Sequence, residues 1–332
     1  MIIHIDKKIP LEKVIKLAKK NNASYLSKEE YYILVTSSSV KELPQELIPH
    51  TKGYFVMDSD IQLASRKYNS QTKKIEIGST YIGGDQKNTL IIAGPCSIES
   101  EEQIEQSCRM LIDLGIKVLR AGSFKPRNSP YSFQGMGSEG LKILAKMREK
   151  YGLLIATEVR DATHIEEVIE YADIVQIGAK SMCDHALLRR CGKINKPVIL
   201  KRGFGNTLQE FVQYAEFILS GGNENLILCE RGIRSFETKT RFTLDLCGVA
   251  YLKEHVNLPI ILDPSHAMGW AYGVPDLTRA CIAMGVDGLL IETHPNPFCA
   301  KSDSLQQLDH NAFIKLYQSL QPIAQSIKKT IV

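Results

Sequence analysis

The sequence predicts an α/β protein in which a small α+β domain precedes a closed (β/α)8 barrel of the TIM type. Three observations lead there. From Leu90 onward, eight short β-rich runs alternate with segments of helical period, the pattern of parallel strands joined by crossover helices. Those units occupy about 240 residues, the usual size of such a barrel. No Gly-x-Gly-x-x-Gly follows the first run, which places a doubly wound open sheet, the competing architecture, behind the barrel.

In chain order, residues 1–60 read as the small domain: strand Met1–Ile5, helix Leu11–Lys20, strand Tyr31–Val35, a weak helix Val40–Leu47 interrupted by Pro44, and strand Tyr54–Met57. Residues 61–84 read as a linker and a short hairpin pairing Ile75–Ile77 with Tyr81–Ile82. The barrel takes 85–332, with strands at Leu90–Ala93, Lys117–Arg120, Leu153–Glu158, Ile174–Ile177, Val198–Lys201, Leu226–Glu230, Ile260–Asp263 and Leu289–Glu292. Helix starts are signalled by Ser100 before Glu101, Asp161 before Thr163–Ala172, and Thr207 before Gln209–Leu219; a last helix covers Asn311–Lys328.

Composition narrows the function classes. The 332 residues are 44% hydrophobic and 23% charged, enough for one large core and a small second domain, and the net charge is only +4 with its basic residues dispersed. No nucleic-acid or membrane partner is expected. The chain has no apolar run of about 18 residues and no leader pattern, so a cytoplasmic protein is expected. Its eight cysteines stand singly, which argues for reduced thiols rather than a disulfide framework or a zinc knuckle.

Active sites of such barrels lie at the carboxyl ends of the strands, so the residues just past each strand form a ring. Strands one, seven and eight become neighbours on closure and carry Cys96, His266 and Glu292, with Asp303 in the last loop. One thiolate, one imidazole and two carboxylates suit a borderline divalent ion (manganese, iron, cobalt or zinc) better than magnesium. His294 competes with Glu292 as donor, and the pattern alone leaves that choice open. Strands two, four, five and six carry Arg120, Lys125, Arg127, Lys180, Lys201 and Arg231. Six cations with no anion among them would repel one another, so this wall is expected to meet phosphate or carboxylate groups.

The segments Ala93–Ser97, Val118–Gly122, Lys125–Gly135, Gln176–Ala179, Leu200–Phe204, Cys229–Phe236, Asp263–His266 and Glu292–Pro297 together resemble the 3-deoxy-D-arabino-heptulosonate 7-phosphate (DAHP) synthase family. The likeness is to its short microbial form with an amino-terminal ferredoxin-like regulatory domain. It implies a metal-dependent transferase that condenses phosphoenolpyruvate with erythrose 4-phosphate at the entrance to the shikimate pathway of aromatic amino acid biosynthesis. By this resemblance Cys96, His266, Glu292 and Asp303 hold the metal, which selects Glu292 over His294.

The resemblance further implies that Arg120, Lys125, Lys201 and Arg231 hold phosphoenolpyruvate, with Lys180 standing where an arginine is usual. The stretch Lys125, Pro126, Arg127, Asn128 and Ser129 receives the aldose, with Asn128 in place of the usual hydroxyl residue. Lys125 is expected as proton donor, with Glu158 or His266 orienting the water that adds. An aromatic amino acid effector at the first domain and a homo-oligomer, dimer or tetramer, are implied too. The alternative is 3-deoxy-D-manno-octulosonate 8-phosphate synthase, which uses arabinose 5-phosphate; a non-catalytic, metabolite-sensing barrel is a further one.

Overall fold

The computed structural model describes residues 1–85, 87–127 and 129–332. The chain opens with β1 (Ile2–Asp6), α1 (Leu11–Lys20), β2 (Ser24–Ser27), β3 (Tyr31–Val35) and β4 (Thr51–Phe55). The strands form an antiparallel sheet ordered β2-β3-β1-β4, the ferredoxin-like order. Alternation gives the sheet two apolar faces: Ile3, Ile5, Tyr32 and Leu34 pack with Val14 and Ala18 of α1, while Ile2, Leu26 and Ile33 join the core of the rest of the chain.

Two expectations for this region need correction. Val40–Leu47 forms turns that end in a 3-10 turn at Ile48–His50, not an α-helix. Pro44 lacks the N–H a helix interior needs, and the segment is short. Strand β2 was not anticipated, because only Leu26 of its four residues is buried and no alternation shows.

β5 (Lys74–Ile77) and β6 (Thr80–Gly83) make the expected hairpin. Its Ile75, Ile77 and Ile82 pack among Leu90, Val118, Ile174 and Ile227, which lie in the first half of their strands. The hairpin therefore closes the amino-terminal end of the barrel and leaves the carboxyl-terminal end open.

The barrel strands are β7 (Asn88–Gly94), β8 (Val118–Arg120), β9 (Leu154–Val159), β10 (Ile174–Ile177), β11 (Val198–Lys201), β12 (Leu226–Glu230), β13 (Ile260–Leu262) and β14 (Gly288–Glu292). Each pairs in parallel with the next, and β14 pairs back onto β7 from Gly288 opposite Leu90 to Glu292 opposite Gly94. That register sets the end of β14 beside the turn that carries Cys96.

Around the barrel run α2 (Glu101–Asp113), α3 (Ser138–Tyr151), α4 (Ile165–Tyr171), α5 (His185–Cys191), α6 (Leu208–Gly221), α7 (Leu246–His255), α8 (Pro264–Met268), α9 (Val274–Ala283) and α10 (His310–Ser326). Ser100 caps α2 by accepting from Gln103 N–H, and Thr207 forms a reciprocal capping box with Glu210 on α6. Helix α4 begins at Ile165, later than expected, because Asp161 spends its carboxylate on the Thr163 N–H in a turn before the helix. Among the described residues no helix is long and apolar enough to cross a membrane, and all eight cysteines are unpaired.

Candidate active site

Closure of the sheet brings Cys96, Glu292 and Asp303 together with one ligand atom of each within 4.8 Å of the others, a group that can hold a metal ion. His266 borders it: its Nε2 lies 3.6 Å from Glu292 Oε1 and 3.7 Å from Asp303 Oδ2. Asp263 ends its strand as the cap of α8, accepting from the His266 backbone N–H, and its Oδ2 lies 2.8 Å from His266 Nδ1. The Nδ1 atom is buried and even so makes no aligned hydrogen bond among the described residues, while Nε2 faces the cluster.

Atoms of metal-ligand type meet at the centre of the cluster. Nε2 stands too far from the two carboxylate oxygens for a hydrogen bond, while the buried Cys96 Sγ donates to Asp303 Oδ2 at 3.3 Å and Glu292 Oε1 accepts from Arg120. Burial, reinforced by Glu292, pushes the Cys96 thiol up to about 12, so a thiolate there needs a cation beside it. Burial pulls His266 below its ordinary value, with Asp263 and Glu292 working against it. Burial alone would raise Glu292 and Asp303, yet His266 with Arg120 for the first and with Arg241 for the second holds both below the usual carboxylate range. This donor set fits a borderline divalent ion.

His294 stands apart. Its Nδ1 accepts from Asn296 N–H at 2.9 Å and its Nε2 is turned toward Glu99, 3.7 Å away. Geometry thus separates it from the cluster and leaves Glu292 as the strand-end donor.

Beside the cluster lies a cavity of about 360 Å³ whose wall includes Lys125, Pro126, Arg127, Glu158, Lys180, Lys201, Arg231, His266 and Asp303. Lys125 joins the two regions, since its Nζ sits 3.1 Å from Cys96 Sγ. Burial works against its charge, but Cys96 and Glu158 outweigh that and hold the ammonium above its ordinary value. Arg231 stacks its guanidinium 4.4 Å over the Phe242 ring, and its buried Nη1 finds no partner among the described residues. A buried cationic donor left open toward a cavity is built to receive an anion.

A family model described as the DAHP synthetase I family matches residues 67–329. This chain belongs to the DAHP synthetase I family. A Thermotoga maritima relative named phospho-2-dehydro-3-deoxyheptonate aldolase is 40% identical over 329 residues, covering 96% of this chain and 95% of its own. The crystal structure of a Thermotoga maritima DAHP synthase matches with a TM-score of 0.81 at 38% identity, over 100% of this chain and 99% of that one. A Bordetella petrii 2-dehydro-3-deoxyphosphooctonate aldolase is 34% identical over 263 residues, 72% of this chain and 92% of its own.

Not every expected residue of this DAHP synthetase I chain faces the cavity. Arg120 is absent from its wall and donates from Nη1 to Glu292 Oε1 at 2.5 Å, while Lys201, which is on the wall, donates to Asp263 Oδ2 at 2.6 Å. Buried carboxylates behind the wall, with Glu158 and Asp303 on it, thus offset part of its charge, and the expectation of cations with no anion among them is corrected. Ser129 is engaged in the turn that follows it, accepting from Tyr131 N–H and from Gln134, and lies outside the cavity wall. Asn128 falls outside the described residues.

The cavity also has a layer that strand-end reasoning missed. Phe204 and Phe242 stack at 5.5 Å, Arg234 lies 4.9 Å over Phe204, and Arg241 pairs with Asp303 at 3.5 Å. Phe204 and Arg234 follow the β11 and β12 ends closely enough to have been read from position. Arg241 and Phe242 sit in a long loop where nothing local marks them.

Proposed function

We propose that this chain condenses phosphoenolpyruvate with D-erythrose 4-phosphate to give DAHP and phosphate. The observation that carries the reading is the match to the heptonate aldolase over 96% of the chain, which takes in most of the first sixty residues, whereas the Bordetella octonate aldolase matches over 72% of the chain. Supporting it is a cationic cavity opening onto a cluster of metal-ligand types.

Cys96, His266, Glu292 and Asp303 would hold a divalent ion, manganese, iron, cobalt or zinc, and when bound it supplies a Lewis acid that polarises the aldehyde. Arg231, Lys201 and Lys180 bind the phosphate and carboxylate of the enol phosphate, leaving its nucleophilic methylene directed at the aldose. Arg120 serves as counter-cation to Glu292. Arg127 and Pro126, at the mouth, receive the aldose phosphate end, with Asn128 and Ser129 continuing that stretch. Lys125 is the proton donor, while Glu158 on the neighbouring strand β9 orients the water that adds to the carbon bearing phosphate. That phosphate then leaves with its oxygen.

Residues 1–60 act as a regulatory domain responding to an aromatic amino acid, 61–84 as linker and hairpin, and 85–332 as the catalytic barrel of a homo-oligomer. Eight unpaired cysteines suit a cytoplasmic setting. The test is phosphate release from phosphoenolpyruvate with erythrose 4-phosphate or arabinose 5-phosphate, after chelation and after restoring each metal. Metal-dependent release with the four-carbon sugar is expected. Preference for the five-carbon sugar would reassign the chain to octulosonate synthesis, and release with neither would leave a sensing barrel.

A further inference from the structure

Glu292 is fully buried, and both of its oxygens are engaged: Oε1 by Arg120 and Oε2 by Gln306 Nε2 at 2.5 Å. The orientation of the Gln306 amide follows from its other neighbour. Arg241 has only donors to offer, and its Nη1 donates to Gln306 Oε1 at 2.7 Å, so the amide nitrogen must face the carboxylate. The Gln306 backbone N–H also reaches the Asp303 carbonyl at 3.3 Å. That contact closes a turn in which Asp303 takes φ +45°, a left-handed conformation uncommon for a residue with a side chain.

The next residue works on the other side of the cluster. Gln307 Oε1 accepts from the Cys96 backbone N–H at 2.9 Å, and its Nε2 donates to the Ser302 carbonyl at 2.9 Å. Ser302 Oγ in turn lies 2.7 Å from Ser97 Oγ. Two adjacent, buried amides thus connect the segments bearing Cys96, Glu292 and Asp303. Both are neutral. A lysine or arginine in place of Gln306 would offset the Glu292 charge that a cation needs, whereas an amide orients the carboxylate and leaves its charge intact.

We propose that Gln306 and Gln307 are positioning residues for the metal centre, Gln306 by aiming the Glu292 carboxylate and Gln307 by fixing the Cys96 turn. The inference rests on the reading that Cys96, His266, Glu292 and Asp303 hold a divalent ion. Its test uses the full chain stripped by chelation and titrated with Co²⁺, read by the thiolate-to-cobalt absorption of Cys96 and the visible ligand-field bands.

Gln306→Met is expected to weaken cobalt binding roughly 10- to 100-fold and to move the ligand-field bands, with the far-ultraviolet circular dichroism of the stripped protein unchanged. Gln306→Glu, which preserves the volume and polarity should the apolar replacement fail to fold, sets a carboxylate against Glu292 and is expected to weaken binding as well. Parental affinity and band positions in either variant would overturn the proposal while leaving the metal reading intact. Absence of any thiolate absorption in the parent protein would overturn both.

Discussion

Two glutamates in different parts of the molecule show what separates a reactive region from a structural one. At the barrel mouth, Glu292 is fully buried and ionised below its usual range, because His266 and Arg120 outweigh the burial that works to raise it. On the flank, Glu216 of α6 lies under the segment linking the first domain to the barrel, where its Oε1 accepts from the backbone N–H groups of Gln62 and Ala64 at 2.7 and 2.8 Å. Burial pushes that carboxyl up to about 7, with the backbone donors and Lys73 only partly opposing it. Full charges at the mouth hold an anion ready for a cation. Dipoles on the flank hold a linker in place.

The sharpest way to break this contrast is to remove donors at the mouth. Cys96→Ala and His266→Ala should each abolish metal-dependent turnover and bound metal, measured by phosphate release and elemental analysis; full activity in either stripped variant would end the metal reading. Arg231→Ala comes next. It should weaken phosphoenolpyruvate binding roughly 10- to 100-fold, as expected for losing a charged hydrogen-bond donor, with metal content unchanged. Unchanged affinity would misplace that residue.

The flank gives the smallest effect and the one with a pH signature. Because the folded chain holds the Glu216 proton more tightly than the unfolded chain, the cost of this group is absent below its ordinary value of 4.5 and grows as pH rises toward 7. It should be complete above that. Stability should decline across this window by on the order of 3 kcal/mol, and Glu216→Gln should flatten the decline in urea titrations at several pH values. A parental pH profile in that variant would show that the linker contact carries no such proton.

How far the sequence spoke differs between the two regions. In the barrel, apolar runs bounded by glycine, proline and charge marked every strand to within two residues, since a strand buried on both faces has almost no freedom in composition. In the first domain, Pro44 weakened a helix that does not form, and β2 escaped notice because one buried leucine leaves no periodic trace. Cys96 and His266 were legible from strand-end position, which left Glu292 and His294 as alternatives until the family resemblance chose the glutamate. Asp303 had only loop proximity in its favour, and Gln306 and Gln307 none.

The linear pattern by itself determined the architecture, the end of the barrel at which chemistry occurs, and which residue types gather there. Those follow from local hydrophobic period and from the rule that parallel strands present their carboxyl ends together. Tertiary structure alone decided that His294 turns toward Glu99, that Arg120 and Lys201 are paired with Glu292 and Asp263, and that two separate loops, one after β12 and one after β14, deliver Arg241 with Phe242 and Gln306 to the site. The reason is that side-chain direction and loop path are set by contacts between residues far apart in sequence, which no local pattern encodes.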